Sequence, residues 1–501
     1  MTFDNERPEI PDGVLYIDDT GVLQGVAARG DTAPAGFDHA TRVETGGLIY
    51  PGLMDLHNHM AYNCLSLWLA ADHPGPWTSR AQWPDDKDYK PAISLPANAL
   101  CHADGKSVLK YVETKAAVGG VTAIQGSAKL SHPFEGFMVR NVEFETFGGK
   151  SKSVNQSVRA FGSPDQYDSA RKDLKEGHAF LYHLAEGTDP GLIKDYDGLH
   201  AHHCLKPKFI GIHSTALGSE QFSQWHSTAK GGAIVWSPFS NLWLYGKTTD
   251  VVAARQAGLI VCLGADWSPS GSKSVLGELK VADLYNKVTL GGAVADPDIC
   301  AMVTCNPAQA LGWDAQLGRL KTGLHADFVV MADKGKDAYR TLIESVEADV
   351  HLVAINGYPI YGTEKLMTAA AAVNPEPIQV SATLRRTITL RDARIPDADV
   401  SWPDVIARLE AARHNPVQAR AQSLALDQVA EPPVGLIPDK AWDDPTAHPE
   451  LLAQVATATI PPLDPLTPDA AFFAAISKRA DGMGAESGLH ALSKLHTYYG
   501  V

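Results

Sequence analysis

Tyr50-Pro-Gly-Leu-Met-Asp-Leu-His-Asn-His-Met60 decides how the rest of this chain is read. An apolar run feeds two histidines, His57 and His59, separated by one residue. On an extended strand alternate side chains lie on one side, so both imidazoles face a common point. Paired neutral imidazoles suit a divalent cation, zinc above all. Nineteen histidines in 501 residues would also place such a pair on a solvent-facing strand by chance. The residues downstream favour the metal.

After His59, short apolar strands alternate with amphipathic helices, the pattern of a parallel α/β barrel. The first strand spans residues 53–59 and the second 120–126, with the third and fourth near 137–144 and 157–161. The fifth spans residues 178–185, the sixth 209–213, the seventh 233–237 and the eighth 259–266. Barrel enzymes carry their chemistry at the C-terminal ends of the strands. Those ends hold His57, His59, His183, His213 and Asp266, while the strand interiors are apolar. Core packing does not explain that distribution.

Residues 13–29 read as a β-hairpin about an Asp-Thr-Gly turn, and β-rich stretches return at 326–332 and 350–362. The expected architecture is α/β: a (β/α)8 TIM barrel over residues 51–310, inserted into a small β-sandwich built from 1–50 and 311–365. Residues 366–501 read as a C-terminal helical extension with Pro-rich stretches and no chemical constellation. It covers the barrel or forms an oligomer contact, which leaves a homo-oligomer open.

A chain of this length predicts two or three folded units, and 45% apolar with 20% charged residues is globular composition. The net charge of −15 argues against nucleic-acid and anionic-membrane partners, which need clustered Lys and Arg. No apolar run approaches the roughly 20 residues that span a bilayer. The first residues lack the basic-then-apolar order of a secretory signal. Six scattered cysteines without Cys-x-x-Cys spacing read as buried thiols of a reducing compartment, and the expected location is cytoplasmic.

His183 ends the fifth strand and is followed by Glu186. Metal-assisted hydrolysis needs a carboxylate to take a proton from water and pass it to the leaving group, and Glu186 is the candidate. Asp266 closes an otherwise apolar strand. It stands too early to cap the helix expected from residue 272, a role that Ser270 or Ser272 suits better. It could ligate the metal, orient the attacking hydroxide, or do both. His213 is either a ligand or a donor that polarises the substrate, and the second suits a single metal. His200, His202 and His203 precede the sixth strand, at the opposite barrel end, and read as a solvated helix end. His73 and His102 read as loop residues near the first pair. Asn63, Trp68, Trp77, Trp243 and Tyr245 are candidate pocket walls, although large aromatics serve more often as packing.

The chain resembles the amidohydrolase superfamily, in its cytosine-deaminase and triazine-hydrolase-like branch. The matching stretches are Pro51-Gly-Leu-Met-Asp-Leu-His-Asn-His59, Gly119-Gly-Val-Thr122, Leu181-Tyr-His-Leu-Ala-Glu186, Ile212-His213, Ser237-Pro-Phe-Ser-Asn241 and Leu263-Gly-Ala-Asp266. Thr304–Gly312 and Leu317–Asp327 continue the series in the family's order. The resemblance implies one divalent metal, Zn with Fe or Mn as alternatives, held by His57, His59, His183 and Asp266. It implies that Glu186 shuttles protons, that Asp266 takes the first proton from water, and that His213 contacts the reacting group. The implied reaction is metal-dependent hydrolysis of a C–N bond in a small molecule, by deamination or amide or lactam hydrolysis. A different leaving group and a catalytically inactive scaffold are the alternatives. Trp236 and Phe239 depart from the family's usual segment, which implies a different substrate pocket. A carboxylated lysine bridging two metals has no candidate on the fourth strand, and Lys129 follows the second strand instead.

Overall fold

The computed structural model describes residues 1–70, 73, 75–126, 138–391, 400–427, 457–482 and 488–501. Lys129, the first residue of the third expected strand and the Pro-rich stretch at 431–433 lie outside the described residues.

A hairpin of β1 (Gly13–Ile17) and β2 (Leu23–Ala28) comes first, and its strands pair antiparallel. β3 (Gly47–Pro51) leads directly into β4 (Leu53–Asp55), the first barrel strand. The barrel continues through β5 (Val121–Ile124), β6 (Arg140–Asn141), β7 (Val154–Ser157) and β8 (Ala179–Leu184). It ends with β9 (Phe209–His213), β10 (Ala233–Trp236) and β11 (Ile260–Leu263). These eight strands pair parallel in two arcs, β4-β5-β6 and β7-β8-β9-β10-β11. A parallel bridge between Asn58 and Asp266 joins the arcs where β11 meets β4, with His59 N donating to Asp266 O and Asp266 N to His57 O.

Alternation on β8 shows how an apolar strand serves two layers. Ala179 and Leu181 fill the barrel interior, while Phe180, Tyr182 and Leu184 pack outward with the helices. His183 follows the inward parity and so reaches the barrel mouth. The first strand behaves differently from its sequence reading. Regular pairing stops at Asp55 instead of running to residue 59, and the chain bends into a 3-10 turn at Met60–Tyr62. Met54 and Leu56 take the interior positions, so His57 and His59 are delivered by the bend and not by strand parity. The fourth strand also lies earlier than residues 157–161, because Val154 is the residue buried in the barrel core.

β12 (Phe328–Ala332), β13 (Val350–Ile355) and β14 (Tyr358–Gly362) form an antiparallel sheet that takes in β3 at one edge. Leu23 of the hairpin shares a buried cluster with Phe328, Val330 and Leu352 of this sheet. Two further strands, β15 (Glu376–Gln379) and β16 (Arg385–Ile388), extend it from the region read as helical. In β15 the side chains alternate buried and exposed, which is strand periodicity. Beyond them the described residues form helices joined by irregular chain, residues 457–469 among it. Trp402 of helix Trp402–His414 stacks on Tyr111 of helix Leu95–Val118, and helix Ala470–Gly482 lies further along the chain. No helix among the described residues is long and apolar enough to cross a membrane.

Candidate metal centre

His57, His59, His183, His213, Glu186 and Asp266 meet at the C-terminal mouth of the barrel. Ring centroids of His57 lie 5.0 Å from His59, 4.7 Å from His183 and 4.8 Å from His213. Asp266 Oδ1 stands 3.2 Å from His57 Nε2 and 3.7 Å from His59 Nε2. Two overlapping triads, His57–His183–His213 and His57–His59–Asp266, each bring their ligand atoms within 4.8 Å of one another. All six residues are buried except His59, which is partly exposed.

The mouth is held by backbone that side chains rarely adopt. Ala185, His213, Ser214 and Asp266 all have positive φ, between 47° and 65°. Such left-handed residues cost about 1–3 kcal/mol each and collect where geometry serves function. On β9 they have a visible purpose: Ile212 points inward, so parity would send His213 outward, and the left-handed turn brings it back over the mouth. Gly264 permits the seam itself, because a Cβ there would lie 2.5 Å from the Cβ of His57.

A carboxylate beneath the centre ties both strand ends together. Asp55 Oδ1 accepts from His57 N at 3.2 Å and from Ala265 N at 3.1 Å, and its Oδ2 accepts from the Asn58 amide at 3.1 Å. Burial pushes Asp55 up to about 6. Asp55 was not singled out in the sequence, although its place two residues before His57 was visible there.

Several buried polar atoms in the centre have no partner. His57 Nδ1, His57 Nε2 and His183 Nδ1 make no hydrogen bond, and the His57–Asp266 approach lacks hydrogen-bond alignment. Leaving such groups unpaired in a native core is costly, and a cation would satisfy them. Burial holds His183 and His213 below the ordinary imidazole range and brings His59 down to about 3. Burial opposes ionisation of Asp266 too, but His57 and the other imidazoles outweigh it and hold the carboxylate below its usual range. Imidazoles around one carboxylate, with burial favouring the neutral form of His59, His183 and His213 and, against burial, Asp266 raising His57, are a donor set that a divalent metal takes. The residues present therefore fit such an ion.

Glu186 faces the same cavity from the loop after β8. Its Oε1 accepts from the Tyr245 hydroxyl at 2.6 Å, while its Oε2 lies 3.6 Å from Arg80 Nη1 and 3.7 Å from His213 Nε2. The Asn241 amide donates to His213 Nδ1 at 3.0 Å, and its carbonyl accepts from Thr248 Oγ1. With Nδ1 accepting, His213 carries its hydrogen on Nε2, towards the cavity. The cavity is walled by Arg80, Trp83, Val158, Leu244 and Trp267 beside the centre.

That wall corrects the sequence reading. Asn63, Trp68, Trp77, Trp243 and Tyr245 do not line the cavity, although Tyr245 reaches it through Glu186. Trp236 and Phe239 are packing: the Trp236 indole donates to Thr248 Oγ1, and Phe239 stacks on Trp243. His102 lies within helix Leu95–Val118 instead of a loop. The helix after β11 starts past Ser274, not at Ser270 or Ser272, and the Ser274 side chain makes no capping hydrogen bond. Arg80, Trp83 and Trp267 went unread because loop residues carry no periodicity. His200, His202 and His203 sit at the end of helix Ile193–Ala201, before β9, as expected.

The amidohydrolase family profile matches residues 163–360. A 5-methylthioadenosine/S-adenosylhomocysteine deaminase of Pelotomaculum thermopropionicum is 27% identical over 390 residues, covering 69% of this chain and 88% of the relative. The protein of the same name from Halobacterium salinarum is 26% identical, covering 64% and 80%. Among solved structures, the atrazine chlorohydrolase of Arthrobacter aurescens TC1 complexed with zinc superposes with a TM-score of 0.59 at 17% identity, covering 82% of this chain and 97% of that one. An adenosine deaminase from Xanthomonas campestris with bound zinc gives 0.57 at 13%, covering 82% and 94%. The chain is thus similar to the amidohydrolase family over residues 163–360 and to these deaminases over about two thirds of its length.

Proposed function

We propose that this protein is a metal-dependent hydrolase that deaminates a small nitrogen heterocycle, with His57, His59, His183 and Asp266 holding one zinc ion. The convergence of unpartnered imidazole nitrogens on Asp266, with Glu186 in the same cavity, carries the reading. Zinc bound there would supply a water of lowered pKa and a Lewis acid. Both sequence relatives are named as deaminases and align over most of their length, which favours deamination over amide or lactam hydrolysis.

The protein's own residues supply the rest. Asp266, ionised among imidazoles, accepts the first proton from the attacking water. Glu186 carries a proton to the leaving nitrogen, and the Tyr245 phenol fixes its orientation. His213 donates its Nε2 hydrogen to the reacting group, a role set by Asn241. Trp83 and Trp267 offer apolar faces to a flat ring, and their enclosure keeps bulk water out. The six cysteines are buried and unpaired, in keeping with the cytoplasmic location we propose.

Zinc analysis of the purified protein, together with an ammonia-release screen over aminopurines, adenine nucleosides and aminopyrimidines, tests the proposal. One zinc per chain and ammonia release that Glu186→Gln abolishes would support it. A protein that takes up no divalent ion, or a Glu186→Gln variant with full turnover, would overturn it.

A further inference from the structure

Asp464 belongs to the C-terminal extension, far in sequence from the barrel mouth, yet it is wholly buried beneath it. Its carboxylate accepts from both Lys115 Nζ and Lys273 Nζ. Its own backbone is engaged too, since Asp464 N donates to Cys64 O at 2.8 Å and Tyr111 Oη donates to Asp464 O at 2.6 Å. Burial would raise this carboxyl, but the two ammonium groups reverse the effect and hold it below the usual range.

One lysine bonds the loops that carry the metal centre, and the other belongs to one of them. Lys115 Nζ also donates to Asn63 O at 3.0 Å and to Ser268 Oγ at 2.7 Å. Asn63 comes after His57 and His59 in the first loop, whereas Ser268 and Lys273 come after Asp266 in the last. The Asn63 side chain continues the path: its Oδ1 accepts from Ser268 N at 2.8 Å, and its amide donates to Asn58 Oδ1 at 2.9 Å. Asn58 in turn donates to Asp55, the carboxylate that holds the backbone of His57 and Ala265. Phe472, also in the extension, places its ring 5.2 Å from Lys273 Nζ.

We propose that Asp464 is a positioning residue for the metal centre: through Lys115, Lys273 and Asn63 it clamps the loop of His57 and His59 to the loop of Asp266. The inference rests on the metal reading above. Two partners of Asp464, Lys115 and Tyr111, stand on helix Leu95–Val118. Lys115 passes the contact on to Asn63 and Ser268, however, and Cys64 and Lys273 belong to the same two loops, which together supply three of the four proposed ligands. The extension thereby completes the centre from outside the barrel. Residues that support metal ligands from behind typically contribute 10- to 100-fold to metal affinity.

The test uses the full chain and compares Asp464→Asn, Lys273→Met and Val405→Ala. Val405 is buried in the same extension but outside this path, so its truncation loosens the extension without touching the clamp. Zinc affinity is measured by competition with a chromophoric chelator, and thermal unfolding is monitored on metal-free protein. Asp464→Asn should weaken zinc binding by about 10-fold or more, and Lys273→Met by a smaller factor. Val405→Ala should lower the unfolding midpoint and leave zinc affinity as in the parent. Unchanged zinc affinity in Asp464→Asn overturns the inference, and so does an equal loss in Val405→Ala. Should Asp464→Asn fail to fold, Lys273→Met decides by the same criterion. A parent chain that binds no zinc overturns the metal reading itself, and the parent measurement identifies that case before any variant is compared.

Discussion

Two buried ionic clusters lie within one hydrogen-bonded path of each other, and they are built in opposite ways. Around Asp464 each charged atom has a partner, and two ammonium groups flank one carboxylate. Around Asp266 the imidazole nitrogens crowd together with hydrogen bonds missing. A folded core tolerates the first arrangement as structure. It retains the second only when something else fills the gap, because unsatisfied buried polar atoms cost about 1–3 kcal/mol each. Satisfaction of polar atoms, more than burial or charge, separates the cluster that ties the two loops together from the cluster that offers its ligands to an ion.

The sharpest way to break this contrast is to remove the carboxylate ligand. Asp266→Ala should abolish stoichiometric zinc and turnover together, as read by metal analysis and ammonia release. A variant that keeps its zinc would place the centre elsewhere. Glu186→Gln should keep zinc but lower kcat by about 10²–10⁴, the usual worth of a positioned acid–base group. Tyr245→Phe removes the hydrogen bond that aims Glu186 and, with it, the acceptor of the Trp83 indole N–H. We expect a loss of about 10- to 100-fold in kcat, since a hydrogen bond to a charged group contributes roughly 1.5–3 kcal/mol.

Metal removal sharpens the comparison on the stability side. Chelation should lower the unfolding midpoint, because binding to the folded state at about 1,000 times Kd is worth roughly 4 kcal/mol. Asp266→Ala should be indifferent to chelator. The smallest expected effect concerns Lys115, which burial lowers to about 8 from its ordinary value. Between pH 8 and about 10.5 the unfolded chain keeps a proton that the folded chain has lost, so this group's contribution to stability rises with pH across that window. Lys115→Met should flatten that slope in denaturant titrations, and an unchanged slope would show that another group titrates there.

Much of the barrel was legible before any coordinates. β9 matches its expected span, residues 209–213, because an apolar run bounded by Lys-Pro-Lys and Ser-Thr leaves little choice. β6, only two residues long, was hard to place because Arg140 and Asn141 carry no hydrophobic signal. The six site residues were legible as polar interruptions at the ends of apolar strands. Arg80, Asn241 and Asp55 were not, since their meaning lies in what they touch. β15 and β16 went unseen because strands of four residues with Glu, Gln and Arg resemble loop.

The sequence by itself determined which residue types stand at the strand ends, and with them the barrel, its mouth and the metal chemistry on offer. Only the tertiary structure decided which nitrogen of His213 faces the cavity, that Tyr245 serves Glu186, and that Asp464 reaches the centre from hundreds of positions away. Periodicity is a local property that a chain carries in one dimension. Partnership across the barrel seam depends on distances and angles that exist only after the strands have closed.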